Sequence, residues 1–90
     1  REEDRKITRR KDGSFLVDGM ISVDDFREHF KRDIAGGGGY NTLAGYIMDR
    51  MGHIPAPGES IRSGEYTFEV VDMDGNRIDK VLVKKKKKRS

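Results

Sequence analysis

The chain has 90 residues, of which 33% are hydrophobic and 39% are charged, and it contains no cysteine. A chain of this size forms one domain with one core, and the lack of cysteine excludes disulfides and thiolate metal sites. The net charge is +3, but Lys84–Arg89 alone contributes six positive charges and leaves −3 on the other residues. Nucleic-acid binders usually carry a basic patch on the folded domain, so this distribution argues against nucleic acid as a partner.

The ends of the chain indicate its context. No apolar run approaches the roughly 20 residues that span a bilayer, and no signal peptide is recognisable. The chain begins with Arg1 rather than Met, so we expect a fragment of a longer protein. The basic run at 84–90 predicts a disordered tail, because like charges in a row repel one another, and the tail is either an interaction segment or a solubilising end without a specific partner.

The N-terminal part of the chain predicts a β-hairpin. Asp-Gly pairs occur at 12–13, 18–19 and 74–75, each between strand-like runs. Asp-Gly is a strong hairpin signal, because a two-residue type I′ loop needs a positive φ at both positions. We therefore predict that Ile7–Lys11 pairs with Ser14–Val17.

A first helix is predicted directly after this hairpin. Ser22 and Asp25 have a spacing like that of a capping box, with Asp in place of the usual Glu. Val23, Phe26 and Phe30 then repeat at helical spacing and form one apolar stripe on a polar helix.

A second helix is predicted from about Thr42 to Met51. Asn41 precedes it as a good N-cap residue, because its side-chain oxygen can accept a hydrogen bond from a first-turn amide. Gly52 follows it, at the position where helices commonly end in a left-handed residue.

The C-terminal half predicts three strands. A short strand at Ser60–Arg62 follows a loop that contains two prolines, and two longer strands at about 65–73 and 76–83 surround Asp74-Gly75. If Asp74-Gly75 is the hairpin loop, the facing pairs are Asp72 with Arg77, Val71 with Ile78, Glu69 with Lys80, and Phe68 with Val81. The element order β-β-α-α-β-β-β predicts an α+β fold, a small antiparallel-rich sheet with two central helices.

Four consecutive glycines, Gly36–Gly39, precede the second helix and raise the question of a phosphate site. A Walker-type loop requires a lysine after the glycines, and the dinucleotide fingerprint requires a third glycine where this chain has Asn41. A helix N-terminus can still hold an anion through its amides and dipole. Gly39, Asn41 and Thr42 are therefore the candidate ligand residues, and a flexible connector is the favoured interpretation.

Asp25, His29 and Asp33 repeat at intervals of four residues and are the candidate metal ligands. A solvated helix face is the favoured interpretation of these three residues. His53 follows the helix-ending glycine, and we expect it to pack in the loop rather than act as a base. No arrangement of serine and histidine indicates a nucleophile, so we predict no catalytic residue and no cofactor.

Three segments together resemble the CorC/HlyC transporter-associated domain. They are "DGSFLVDG" at 12–19, "YNTLAGYIMDRMGHIPAPGE" at 40–59 and "FEVVDMDGNRIDKV" at 68–81. The resemblance divides the chain into a linker at 1–10 leading into the first strand, the domain at 11–83 and the basic tail at 84–90. Gly36–Gly39 and the lysine tail depart from the family pattern.

The resemblance implies a fold similar to part of certain FAD-binding domains. It also implies a place at the C-terminus of a membrane protein, after a pair of CBS domains, at the cytoplasmic face. The associated proteins are linked to magnesium and cobalt efflux or are called haemolysin-like. Because the family has no established catalytic residues, the implied role is modulation of ion transport by an interaction module.

The implied partners are the CBS domains and membrane domain of the same chain, or a second copy of this domain. Anionic lipid is a further candidate partner for Lys84–Arg89, since each basic residue near such a surface contributes about 1 kcal/mol. The alternative function is binding of an adenine or flavin nucleotide, with its phosphate at the amides near Asn41.

Overall fold

The computed structural model of the chain describes residues 6–30 and 39–86. These residues form a five-stranded antiparallel sheet, in the order β1-β2-β5-β4-β3, and two helices. The α+β class and the element order are therefore confirmed. The elements are β1 (Ile7–Arg9), β2 (Phe15–Asp18), α1 (Val23–Phe30), α2 (Leu43–Met51), β3 (Ser60–Ser63), β4 (Tyr66–Asp74) and β5 (Arg77–Lys85).

The core lies between the helices and one face of the sheet. Phe68 on β4 is at its centre, with its ring 5.7 Å from that of Phe26 on α1 and 5.9 Å from that of Tyr46 on α2. All three side chains are at most 1% exposed. Both helices therefore pack on the same strand residue. Val23 and Phe26 of the predicted apolar stripe on α1 are buried.

Two of the predicted local features are confirmed. Ile7 pairs with Val17 in the first hairpin, although its loop spans residues 11–13 rather than Asp12-Gly13 alone, with Arg10 N donating to Ser14 O and Gly13 at a φ of 88°. At the start of α1, the backbone N–H of Asp25 donates to Ser22 Oγ at 3.0 Å, as the capping spacing predicts.

The predicted register of the hairpin between β4 and β5 is wrong. The two-residue loop is Gly75-Asn76, closed by the pair of Asp74 with Arg77, and Gly75 has a φ of 62°. Register shifts around Asp72 interrupt the ladder locally, and the register set by the loop resumes at Val70. The observed pairs are Phe68 with Val83, Glu69 with Leu82, Val70 with Val81, Asp72 with Lys80, and Met73 with Ile78.

The physical reason for this difference is burial. Val70 and Val81 are both fully buried, whereas Val71 is 43% exposed. The predicted register differs from the observed one by two residues and would place the buried Val70 opposite Asp79 rather than Val81. The irregularity at Asp72 then lets both Val70 and Met73 face the core. The sequence prediction had instead aligned the strands by the opposite charges of Asp72 with Arg77 and Glu69 with Lys80.

The strands extend beyond the predicted boundaries of the domain. β1 lies before residue 11, and β5 continues two residues past 83, with Lys84 and Lys85 paired to Thr67 and Tyr66. The N–H of Lys86 also donates to Glu65 O at 2.7 Å. The first lysines of the predicted tail are therefore part of the sheet.

Asp18-Gly19 does not form the hairpin that its sequence predicts. Gly19 instead connects the sheet to α2, because its N–H donates to Asp79 O at 2.9 Å and its carbonyl accepts from Ala44 N at 2.9 Å. A Cβ atom on Gly19 would lie 2.3 Å from the backbone oxygen of Ile78. Only glycine permits this close approach of three backbone segments.

We expect Gly19→Ala to lower the free energy of unfolding by about 3 kcal/mol, because the added methyl group meets backbone rather than a side chain that can move. Gly39→Ala is the matched control, since a Cβ at Gly39 has no atom within 4 Å. Urea unfolding followed by circular dichroism measures both variants. Equal stability of the two would contradict the close approach at Gly19.

Candidate functional site

The candidate ligand residues lie around an open depression at the start of α2. The depression has a volume of about 410 Å³ and is lined by Gly39, Tyr40, Asn41, Gly45 and Asp49. It brings together two of the three candidates, and Thr42 is not among the lining residues. The glycines at 36–38 lie outside the described residues.

Thr42, rather than the predicted Asn41, is the N-cap of α2. Thr42 has extended backbone angles, φ −123° and ψ 162°, and its Oγ1 accepts a hydrogen bond from Gly45 N at 3.1 Å. Asn41 uses its backbone carbonyl differently, as the acceptor for Val23 N at 2.9 Å. The N-cap prediction failed because this contact with the start of α1 places Asn41 one residue before the helix.

The first-turn amides of α2 are bonded within the protein. Leu43 N donates to Ile21 O and Ala44 N donates to Gly19 O, both at 2.9 Å. The next amide, at Gly45, donates to the Thr42 side chain. An anion at a helix N-terminus binds through amides without a partner, so this end of α2 lacks the usual means of holding a phosphate.

The charge of the depression is also unfavourable to phosphate. Among the described residues that line it, Asp49 is the charged one; it is exposed and contributes a carboxylate. A carboxylate and a phosphate group are both negatively charged, so Asp49 would repel a phosphate bound in the depression. Gly39 and Asn41 therefore share a surface, but its charge and the bonded amides near it are poorly suited to a nucleotide phosphate.

Tyr40 and Gly45 form a close packing contact beside the depression. A Cβ atom on Gly45 would lie 3.0 Å from Tyr40 Cβ and 3.4 Å from Thr42 Oγ1. The Tyr40 ring also meets the edge of the buried Tyr46 ring, at 5.5 Å between centroids. The tyrosine and glycine of this segment therefore close the first turn of α2.

The candidate metal ligands do not form a site among the described residues. The His29 ring packs against Phe30 at 4.7 Å and Phe15 at 5.8 Å, while Asp25 lies in the first turn of α1. Asp33 lies outside the described residues. Within 6–30 and 39–86, no group of three or more His, Asp or Glu side chains is arranged to hold a metal ion.

A bonded charged pair, which the sequence interpretation missed, closes the loop after α2. Nε2 of His53 lies 2.7 Å from Glu59 Oε1, and Ala56 N donates to the other carboxylate oxygen at 2.6 Å. The hydrogen bond to Glu59 and its negative charge raise the pKa of His53. The amide of Ala56, followed by His53, lowers the pKa of Glu59.

Arg50 is a second residue whose partners the sequence did not reveal. Its guanidinium donates to the Tyr46 hydroxyl at 3.0 Å and to the backbone carbonyl of Arg62 at 3.1 Å. The arginine therefore connects α2 to the edge strand β3. Its position in the last turn of α2 gave no indication of this contact, which depends on where β3 lies.

We expect Thr42→Ala to lower the free energy of unfolding by about 1 kcal/mol, because it removes the N-cap acceptor of α2. Thr42→Ser is the matched control, since it keeps the oxygen and removes only a methyl group. Thermal unfolding by circular dichroism compares the two. Losses of equal size would show that the hydroxyl of Thr42 does not cap the helix.

Neither helix in the described part of the chain is long and apolar enough to cross a bilayer. A family model described as "Transporter associated domain", CorC_HlyC, matches residues 8–87. Two similar curated proteins are UPF0053 protein sll0260 of Synechocystis, 43% identical over 84 residues, and the polyamine export protein of Salmonella typhimurium, 37% identical over 81 residues. The matches cover 90% and 89% of this chain but only 19% and 18% of those proteins.

The fold is also that of solved domains. The transporter associated domain of a Xylella fastidiosa hemolysin, solved in complex with Mg++ and Mn++, is 36% identical to this chain, with a TM-score of 0.80. The likeness covers 91% of this chain and 99% of that one. The expected family resemblance is confirmed by both sequence and fold. This chain therefore belongs to the CorC_HlyC family of transporter associated domains.

Proposed function

We propose that this chain is a non-catalytic interaction module at the cytoplasmic face of a larger membrane transport protein, and that it regulates the transport of cations. One observation carries this proposal: the residues that identify the family are used to build the domain. Thr42 caps α2, Ala44 is bonded to the carbonyl of Gly19, Gly45 packs on Tyr40, and Gly52 ends the helix with a φ of 77°. Because these residues stabilise the fold, we infer that other residues, on the surface of the domain, contact its partners.

The proposed substrates of the parent protein are cations. The family resemblance implies magnesium and cobalt efflux, and the Xylella hemolysin domain was solved with Mg++ and Mn++. The Salmonella relative is a polyamine export protein, which extends the class to organic cations. We propose divalent metal cations as the transported species, with polyamines as the alternative cargo of the same charge class.

The proposed docking partners are the CBS domains of the parent protein. Within residues 6–30 and 39–86, three large apolar side chains are well exposed: Ile54 at 55%, Met20 at 45% and Val71 at 43%. Scattered exposed apolar residues are common on monomeric domains, so these three are starting points for mapping a contact. Ile54 is the most exposed of them and lies in the loop before β3.

Lys84–Arg89 is the proposed contact with anionic lipid. The sheet fixes the start of this run, because Lys84 and Lys85 belong to β5. Lys84 also lies 3.7 Å from Glu69, so part of its charge is compensated. The basic residues from Lys86 onward are therefore the ones expected to contribute most of the roughly 1 kcal/mol per residue.

The alternative function, binding of an adenine or flavin nucleotide, has less support from the geometry. Its proposed anchor is the N-terminus of α2, where the amides of Leu43, Ala44 and Gly45 are already bonded within the protein. The nearby Asp49 carboxylate disfavours a phosphate.

The experiment is an amide NMR titration of the intact chain with three probes: the CBS-domain pair of the parent protein, ATP or FAD, and magnesium or cobalt chloride. We expect the CBS pair to shift surface amides, including some near Ile54. We expect ATP and FAD to leave the amides of 39–44 unchanged. Ile54→Glu should weaken the CBS contact, whereas Thr8→Glu, on the opposite edge of the sheet, should not.

A second arm uses vesicles of phosphatidylcholine with and without phosphatidylserine. Replacing residues 86–89 by glutamine should weaken sedimentation with the anionic vesicles by at least about tenfold, because the four charges supply most of the attraction.

Shifts of the Gly39, Asn41 and Thr42 amides with ATP or FAD in the NMR titration, without any response to the CBS pair, would overturn the interaction module in favour of nucleotide binding.

A further inference from the structure

The loop at 52–59, between α2 and β3, is closed on the side chain of Glu59. One carboxylate oxygen accepts from Ala56 N at 2.6 Å, and the other lies 2.7 Å from His53 Nε2. The end of the loop is attached to β4, because Gly58 N donates to Val70 O and Val70 N donates to Glu59 O, both at 2.8 Å. Glu59 therefore holds the loop while its own backbone is held by the sheet.

The second ring nitrogen of His53 also faces an acceptor. Nδ1 lies 3.1 Å from the backbone oxygen of Met51, at the C-terminal end of α2. A carbonyl and a carboxylate can only accept hydrogen bonds, and a neutral imidazole carries a single N–H. Both contacts of His53 can therefore be hydrogen bonds only when the ring is protonated and positively charged.

The surrounding charges favour this protonated form. Glu59 lies beside the ring, and its pKa is lowered first by the Ala56 amide and then by His53, so it stays ionised near neutral pH. The carbonyl end of α2 carries partial negative charge, which also favours a cation. Arg50, the cationic side chain in the last turn of α2, is directed to the Tyr46 hydroxyl and the Arg62 carbonyl.

The direction of the pH dependence follows from these contacts. The pKa of His53 is raised above its ordinary value of 6.5 by the hydrogen bond and charge of Glu59. The stabilisation is therefore complete below about pH 6.5 and is lost as the pH rises through the pKa of the folded state. Both partners are well exposed, with side-chain exposures of 54% for His53 and 40% for Glu59.

We propose that the 52–59 loop is a proton-dependent element of this domain, joined to Glu59 through His53 when His53 is protonated and freed at that contact when His53 loses the proton. After deprotonation, the ring keeps its N–H on the Met51 carbonyl and turns the lone pair of Nε2 towards the Glu59 carboxylate. The two acceptors repel, and the carboxylate separates from the ring. The exposed Ile54 lies within this loop, so its presentation changes with the proton. This property belongs to the chain itself and does not depend on the proposed function.

The test is an NMR titration of the intact chain from about pH 5 to pH 9, following the ring of His53 and the amide of Ala56. We expect His53 to titrate above its ordinary range and the Ala56 amide to shift with the same midpoint. In Glu59→Gln, which keeps an acceptor but removes the charge, the His53 midpoint should fall. In His53→Gln, the Ala56 amide should lose this pH dependence.

Circular dichroism checks that both variants keep the fold, as expected for exposed side chains. Two outcomes would overturn the proposal. One is a His53 midpoint at or below 6.5 that Glu59→Gln does not change. The other is a raised midpoint that the Ala56 amide does not follow, since that result would show an ion pair without movement of the loop.

Discussion

A short backbone contact between residues 19–23 and residues 41–44 holds the two helices and the sheet together. Ala44 N donates to Gly19 O, Leu43 N donates to Ile21 O, and Val23 N donates to Asn41 O, each at 2.9 Å. Gly19 N continues this chain of hydrogen bonds to Asp79 on β5. These bonds place the starts of both helices against the central strand, and an unpaired buried amide in their place would cost about 1–3 kcal/mol.

The same contact determines what the start of α2 can do. Glycines before a helix suggest a phosphate site, but here the first amides of the helix are used to join the two halves of the domain. Thr42 and Gly45 complete the arrangement by capping and tight packing. The residues of the family signature therefore stabilise the fold in this chain. We infer that function depends on exposed features such as the 52–59 loop and the lysines that follow β5.

The features that the sequence predicted well are local ones. The Ser22 cap, the left-handed Gly52 and the element order each follow from residues within a few positions of one another, and the family resemblance rested on such segments. The features it missed depend on distant segments. The β4–β5 register is set by which residues of the two strands are buried together, such as Val70 with Val81, and the pairing of His53 with Glu59 requires the loop to fold back. The candidate ligand residues Gly39 and Asn41 do share a surface, but sequence alone could not show that the neighbouring amides are occupied.

Hydrogen exchange at the amides of Leu43 and Ala44 tests whether the backbone contact between 19–23 and 41–44 holds the domain together. We expect both amides to exchange as slowly as those of the central strand β5, through global unfolding, because their bonds to Ile21 and Gly19 break only when the two halves separate. We also expect no change in their exchange when ATP or inorganic phosphate is added. Fast exchange in the free chain, together with protection by either anion, would contradict the account and restore the start of α2 as a binding site.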